Sequence, residues 1–231
     1  RLPKQVRFLG YGHRVSFGFV AREALDHFSI GRVATAAARD VAAWDQLGCL
    51  SPHLFYVETG GRHSPVQFAE RLAAELDSLE KRQPRGRLPV DAAAAICARR
   101  QFYEVRAAFS SDTRVWSSPG STAWTVVYEN EPRFQLSCLN RFVYVKAVAD
   151  VEHARQGADP VRGQVSTVGL AATGTREQIL AREWAAWGAL RLCPLGQMQR
   201  PPATWRHDGR PTLGDLIVWT DWERTERSSV I

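Results

Sequence analysis

A thiol with possible chemistry, Cys49, stands in the run Asp45-Gln46-Leu47-Gly48-Cys49-Leu50-Ser51-Pro52. A helix-like segment from Arg32 to Gln46 leads into Gly48, and the apolar run Leu54-Phe55-Tyr56-Val57 then reads as a buried strand. The sulfur is thereby placed at a helix-to-strand junction on the rim of an α/β sheet. Free backbone N–H groups there can stabilise a thiolate or the oxyanion of a tetrahedral adduct, which suits acyl transfer or hemithioacetal chemistry. The plain alternative is a buried cysteine acting as a small hydrophobe. A nucleophilic thiol also needs a nearby base or a lowered pKa. His13, 49 − 13 = 36 positions upstream, is the best base candidate, a satisfied structural histidine being the competing reading.

Other constellations are weaker. His207-Asp208-Gly209 invites a Ser/His/Asp triad with Ser51 or Ser121, but no G-x-S-x-G elbow is present, and Asp-Gly is a strong turn signal. His27, His53, His63 and His153 have no metal-ligand spacing, so no metal is expected. Cys49, Cys97, Cys138 and Cys193 lie far apart without a C-x-x-C pair, which reads as four reduced thiols in a cytoplasmic protein. No P-loop or G-x-G-x-x-G follows a strand; Gly10-x-Gly12 alone is too little.

The elements that must position Cys49 alternate between helix and strand. Val6 to Leu9 and Val15 to Val20 read as short strands about the Gly10-Tyr11-Gly12 turn, followed by helical spacing over Ala21 to His27 and over Val33 to Trp44. Ser64-Pro65-Val66-Gln67 carries an N-cap, a first-turn proline and a capping-box partner, and Phe68, Leu72, Leu76 and Leu79 line one face of the helix it opens. A second long helix runs from after Pro89 to near Phe109, with Ile96, Arg99 and Tyr103 in its middle. Trp124 to Tyr128, Phe142 to Val148 and Val165 to Ala171 read as strands. Thr175-Arg176-Glu177-Gln178 repeats the capping-box pattern ahead of an apolar stripe of Ile179, Leu180, Trp184 and Trp187, read as core. Leu190 to Cys193 and Leu216 to Trp219 close the chain as short strands around a Pro/Gly-rich loop. This order predicts an α/β fold, a mostly parallel sheet with helices on both faces, in one domain spanning residues 1 to 231.

Composition supports a folded chain: 231 residues are 45% hydrophobic and 23% charged. No run of about 18 apolar residues and no signal-like leader occurs, so neither a membrane span nor secretion is expected. The net charge of +6 comes from arginines spread along the chain, which does not force a nucleic-acid partner, and no RNP-like or helix-turn-helix pattern is present.

The segment Gln46 to Pro52 resembles the nucleophile segment of the long-chain acyl-CoA reductases, the fatty-aldehyde-forming reductases of bacterial luminescence and their relatives, which are similar to the aldehyde dehydrogenase superfamily. The likeness extends to Gly12-His13-Arg14-Val15-Ser16-Phe17-Gly18, Trp116 to Thr122, Glu131-Pro132-Arg133-Phe134, Cys193-Pro194-Leu195-Gly196, Pro201-Pro202, His207-Asp208-Gly209 and Leu216 to Trp219. It implies an aldehyde-dehydrogenase-like catalytic domain laid on the family's C-terminal half, with the N-terminal cofactor-binding half absent. By the same resemblance Cys49 attacks a fatty acyl thioester and holds the acyl group for reduction by NADPH. The partners implied are long-chain acyl-CoA or an acyl-carrier protein, the missing half, and further copies of the chain in a homo-oligomer.

Aldehyde dehydrogenases place a Glu base where this chain has Gly12-His13-Arg14, a departure that fits acyl transfer to a thiol without hydrolytic water. Glu131 and Phe134 resemble the Glu-x-Phe element that contacts cofactor ribose and nicotinamide, with spacing one residue longer; a turn glutamate and a strand-entry phenylalanine are the plainer readings. Gln46 ends a helix or donates to the oxyanion. The basic run Lys81 to Arg87 complements a helix C-terminus, or alternatively docks a phosphorylated cofactor such as CoA or NADPH. A competing function is a non-catalytic interaction module that retains the fold.

Overall fold

The computed structural model describes residues 6, 8–211, 213–214 and 216–223. Two bodies can be distinguished, one from Gly12 to Pro201 and a smaller one combining the chain ends, Arg1–Tyr11 with Pro202–Ile231. The larger body contains a seven-stranded sheet. In chain order its elements are β1 (Val15–Val20), α1 (Arg22–His27), α2 (Ile30–Ala42), β2 (Pro52–Glu58), α3 (Pro65–Arg82), α4 (Val90–Phe109), β3 (Thr113–Ser117), β4 (Thr125–Glu129), β5 (Phe142–Val148), α5 (Val151–Ala158), β6 (Val165–Ala171), α6 (Gly174–Trp187) and β7 (Arg191–Pro194).

The strand order is β3-β4-β5-β2-β1-β6-β7, and every neighbouring pair is parallel except β3 with β4 at one edge. β1, β2, β4, β5 and β6 are buried along their whole length, as strands covered on both faces must be. Alternate residues divide between two cores. Phe55, Val57, Val126, Val143 and Val145 pack under α1, α2 and α3. Phe17, Phe19, Tyr56, Val127 and Tyr144 pack under α4, α5 and α6. No helix among the described residues is long and apolar enough to cross a membrane.

Local chemistry explains the best-defined helices. Ser64 Oγ accepts from the Gln67 N–H at 3.2 Å while Gln67 Oε1 accepts from the Ser64 N–H at 2.8 Å, closing the capping box of α3. Phe68, Leu72 and Leu76 are then fully buried on its inner face.

Four expectations need correction. α6 starts at Gly174 with Thr173 as its uncapped entry residue, so Thr175 lies inside the helix and forms no cap. Ile179 is 49% exposed, whereas Leu180, Trp184 and Trp187 are buried. The described Val6, Phe8 and Leu9 form no strand. Leu216 to Trp219 is irregular, with Val218 and Trp219 exposed: an apolar, β-branched run does not become a strand without a partner to pair with.

In the smaller body, His207–Gly209 forms a short 3-10 turn with Asp208 and Gly209 at positive φ, which gives His-Asp-Gly the geometry of a turn. Its imidazole lies 5.3 Å from the Tyr11 ring and 4.9 Å from the Trp205 ring, centroid to centroid.

Candidate active site

β1, β2, β4, β5 and β6 all begin at one edge of the sheet. Cys49 lies there, three residues before β2, and is exposed to solvent. The approach differs from a helix running to Gln46. α2 ends at Ala42, and the next turn carries three consecutive left-handed residues, Trp44, Asp45 and Gln46, with φ of 55°, 51° and 64°. None of these side chains favours that conformation in the way glycine does. Tertiary ties hold it.

Gln46 is fully buried, and its Nε2 donates to Pro52 O and Phe142 O, both at 2.8 Å, and to Ser137 Oγ at 3.3 Å. With its N–H groups so engaged, Gln46 is a strut between strand starts and is not available to an oxyanion. Asp45 accepts from Arg141 Nε at 3.0 Å and Nη2 at 2.7 Å through Oδ1, and from the Gly86 N–H at 3.1 Å through Oδ2. Arg141 is itself left-handed, as are Leu139 and Asn140 before it. Two unusual turns are thus clipped together, and Arg141 Nη1 adds Glu80 at 2.7 Å.

The thiol's own turn is tied on both sides. Ser16 Oγ in β1 donates to Cys49 O at 2.8 Å, and Gln199 Nε2 donates to Ser51 Oγ at 2.9 Å. Trp44 and Leu47 remain exposed beside the cysteine, at 75% and 61%. Cys49 is therefore a reachable sulfur on an immobilised turn. The helix that leads to it ends in carbonyls rather than amides, so α2 gives an anion no help from its macrodipole.

His13 is exposed, three residues before the Ser16 that bonds the Cys49 carbonyl, so the two segments meet at this edge. A further histidine belongs to the same neighbourhood. His53, the second residue of β2, is 9% exposed, and its Nδ1 accepts from the Ser137 N–H at 3.1 Å. Burial, and secondarily the charge of His13, push its imidazole down to about 4, so it is neutral at pH 7. The only sequence signal for His53 was its place four residues after Cys49.

Glu131 and Phe134 are engaged elsewhere. Phe134 is 7% exposed, its ring 6.2 Å from both Phe17 and His53, and its N–H donates to Gly157 O at 2.9 Å. Glu131 Oε1 pairs with the buried ammonium of Lys146, and its Oε2 accepts from the Arg133 N–H at 3.1 Å. Lys146 also holds Glu129 at 2.6 Å and Gln135 at 2.8 Å. Phe134 is thus packed in the core, and Glu131, partly exposed, is tied to Lys146.

The other thiols have different settings. Burial pushes Cys193 up to about 11 and raises Cys138, while Cys97 is exposed on α4. All four are unpaired, and the described residues contain no group of three or more His, Cys, Asp or Glu that could hold a metal.

Solved structures share this fold. An aldehyde dehydrogenase from Pseudomonas aeruginosa matches at a TM-score of 0.59 and 14% identity, over 85% of this chain and 40% of its own. The delta-pyrroline-5-carboxylate dehydrogenase from Mycobacterium tuberculosis bound with NAD matches at 0.55 and 13%, over 86% and 35%. The 1-pyrroline-5-carboxylate dehydrogenase from Thermus thermophilus matches at 0.55 and 13%, over 77% and 34%. The chain thus spans well under half the length of these enzymes. No curated protein matches its sequence. The family model described as acyl-CoA reductase (LuxC) matches residues 1–219, nearly the whole chain, and with the exposed cysteine just ahead of β2 in an aldehyde-dehydrogenase-like sheet, the chain belongs to the LuxC acyl-CoA reductase family.

Proposed function

We propose that this chain is the acyl-accepting half of a reductase that converts a long-chain fatty acyl thioester to the aldehyde. Cys49 as its thiolate adds to the thioester carbonyl, and the tetrahedral oxyanion collapses by breaking the bond to the carrier's sulfur. The acyl group is then a thioester on Cys49 and the carrier leaves as a thiol. The proton taken from Cys49 is the one the departing thiolate needs. His13 carries it between the two, an exposed imidazole on the segment bonded to the Cys49 turn. Family membership together with the exposed, clamped Cys49 is the observation that supports this reading.

Reduction of the acyl group requires a hydride, and NADPH is the donor the family resemblance implies. Glu131 and Phe134 are already engaged with Lys146 and the core, and no step is assigned to them. The chain works in a reducing compartment, where its four thiols stay unpaired.

Incubation with a long-chain acyl-CoA followed by intact-mass measurement tests the first half-reaction. The expected result is one acyl adduct, absent from Cys49→Ala, with no aldehyde formed when NADPH is added to this chain alone. An adduct that persists in Cys49→Ala would overturn the assignment.

A further inference from the structure

Beside the last turns of α2 and α3 lies a cavity of about 390 Å³, bordered by Arg39, Arg82, Arg200, Gln83, Gln197 and Gln199. The three arginines are exposed, and among the described residues none of them is paired with a carboxylate. Their basic neighbours are committed elsewhere. Lys81 pairs with Asp77, Arg85 donates to Thr122 and Asn140, and Arg141 holds Asp45 and Glu80.

The one acid on the wall, Asp40, is 2% exposed, and its oxygens accept from the N–H groups of Gly196 at 2.6 Å and Met198 at 3.0 Å. Burial pushes its carboxyl up to about 7, so near neutral pH it brings about half a negative charge to the cavity, less than one of the three guanidinium groups. The two helix C-termini bring about half a negative charge each, which three guanidinium groups exceed. An excess of forked cationic donors around a partly open cavity is a setting for phosphate oxygens.

The cavity also adjoins the reactive turn. Gln199, one of its walls, donates to Ser51 two residues past Cys49. Gly48 lies so close that a Cβ there would stand 3.3 Å from Gln199 Oε1.

We propose that this cavity binds the phosphate groups of coenzyme A on Arg39, Arg82 and Arg200, while the flexible pantetheine arm carries the thioester to Cys49. The proposal rests on the reading of Cys49 as the acyl acceptor, and two measurements keep the two claims separate.

Equilibrium dialysis of unacylated CoA against the Cys49→Ala chain reads the cavity alone. Saturable binding is expected, weakened at least tenfold in Arg82→Gln/Arg200→Gln and largely retained in Arg82→Lys. Pantetheine, which has no phosphate, should not compete, and inorganic phosphate should compete only at far higher concentration. CoA affinity equal to that of pantetheine in the parent chain overturns the proposal, as does an unchanged affinity in the double Gln variant. Displacement of CoA by NADP at lower concentration than CoA itself requires would also overturn it, by assigning the cavity to the dinucleotide.

Labelling of Cys49 by a long-chain acyl N-acetylcysteamine, a thioester without phosphate, reads the sulfur alone. Labelling without CoA binding leaves the acyl acceptor standing and removes the cavity proposal. CoA binding without labelling by either thioester leaves the phosphate site and removes the acyl acceptor.

Discussion

The four thiols of this chain differ in the environment each gives to a negative charge. Cys49 and Cys97 are exposed, whereas burial holds the Cys193 thiol up near 11 and raises that of Cys138. With iodoacetamide at pH 7.5, Cys49 and Cys97 should be alkylated in the folded protein, and Cys138 and Cys193 only in denaturant, as peptide mapping will report. His53 adds a pH dependence whose sign follows from its depressed value. The unfolded chain protonates it near 6.5 and the folded one near 4, so its contribution is complete above 6.5 and is lost as the pH falls toward 4. The full span is roughly 3 kcal/mol. Asp40, raised from 3.8 to about 7, acts in the opposite direction, since folding becomes less favourable as the pH rises between those values. Replacing His53 with Gln should therefore flatten the acid limb. The stability gap between parent and variant should shrink between pH 7.5 and pH 4.5 in urea titrations, and a constant gap would refute the assignment. Cys49 and His13 could be singled out from sequence because their residue types carry chemistry. His53 could not, because its significance comes from burial against Ser137, a residue 84 positions away.

At the scale of elements, what is locally encoded was legible and what is held from a distance was not. Ser64, Pro65 and Gln67 announce α3 within four residues, and their capping box forms. The turn at Trp44, Asp45 and Gln46 carries no such signal, because its conformation depends on Arg141, 96 positions from Asp45. β3 was also missed. It is an edge strand with one antiparallel partner and mixed exposure, so its sequence lacks the continuous apolar run of the central strands. The clip itself can be measured. The Arg141 side chain is 5% exposed, and truncation to Ala leaves Asp45 and Glu80 partly buried without their partner, which should cost about 3 kcal/mol in urea unfolding. Lys81→Ala, which breaks an ion pair whose lysine is 76% exposed, should change stability by less than about 0.5 kcal/mol. Equal effects would mean that the clip contributes no more than a surface pair.

For the whole molecule, a mostly parallel sheet was legible because short runs rich in β-branched and aromatic residues alternate with helical segments along most of the chain. Less expected was the edge on which the chemistry falls. Open α/β sheets commonly bind ligands beyond the carboxyl ends of their strands, but Cys49 lies where the strands begin, so the loops at the opposite edge are free of the reactive sulfur. The three left-handed residues ahead of Cys49 have a thermodynamic consequence of their own. Each non-glycine residue in that conformation stores of the order of 1 kcal/mol that returns as soon as its ties are released, making this hinge a natural starting point for partial melting. In rising urea, the capacity to take up an acyl group should vanish at a lower concentration than the helical circular dichroism signal, because the reactive loop comes undone while the sheet beneath it is still intact.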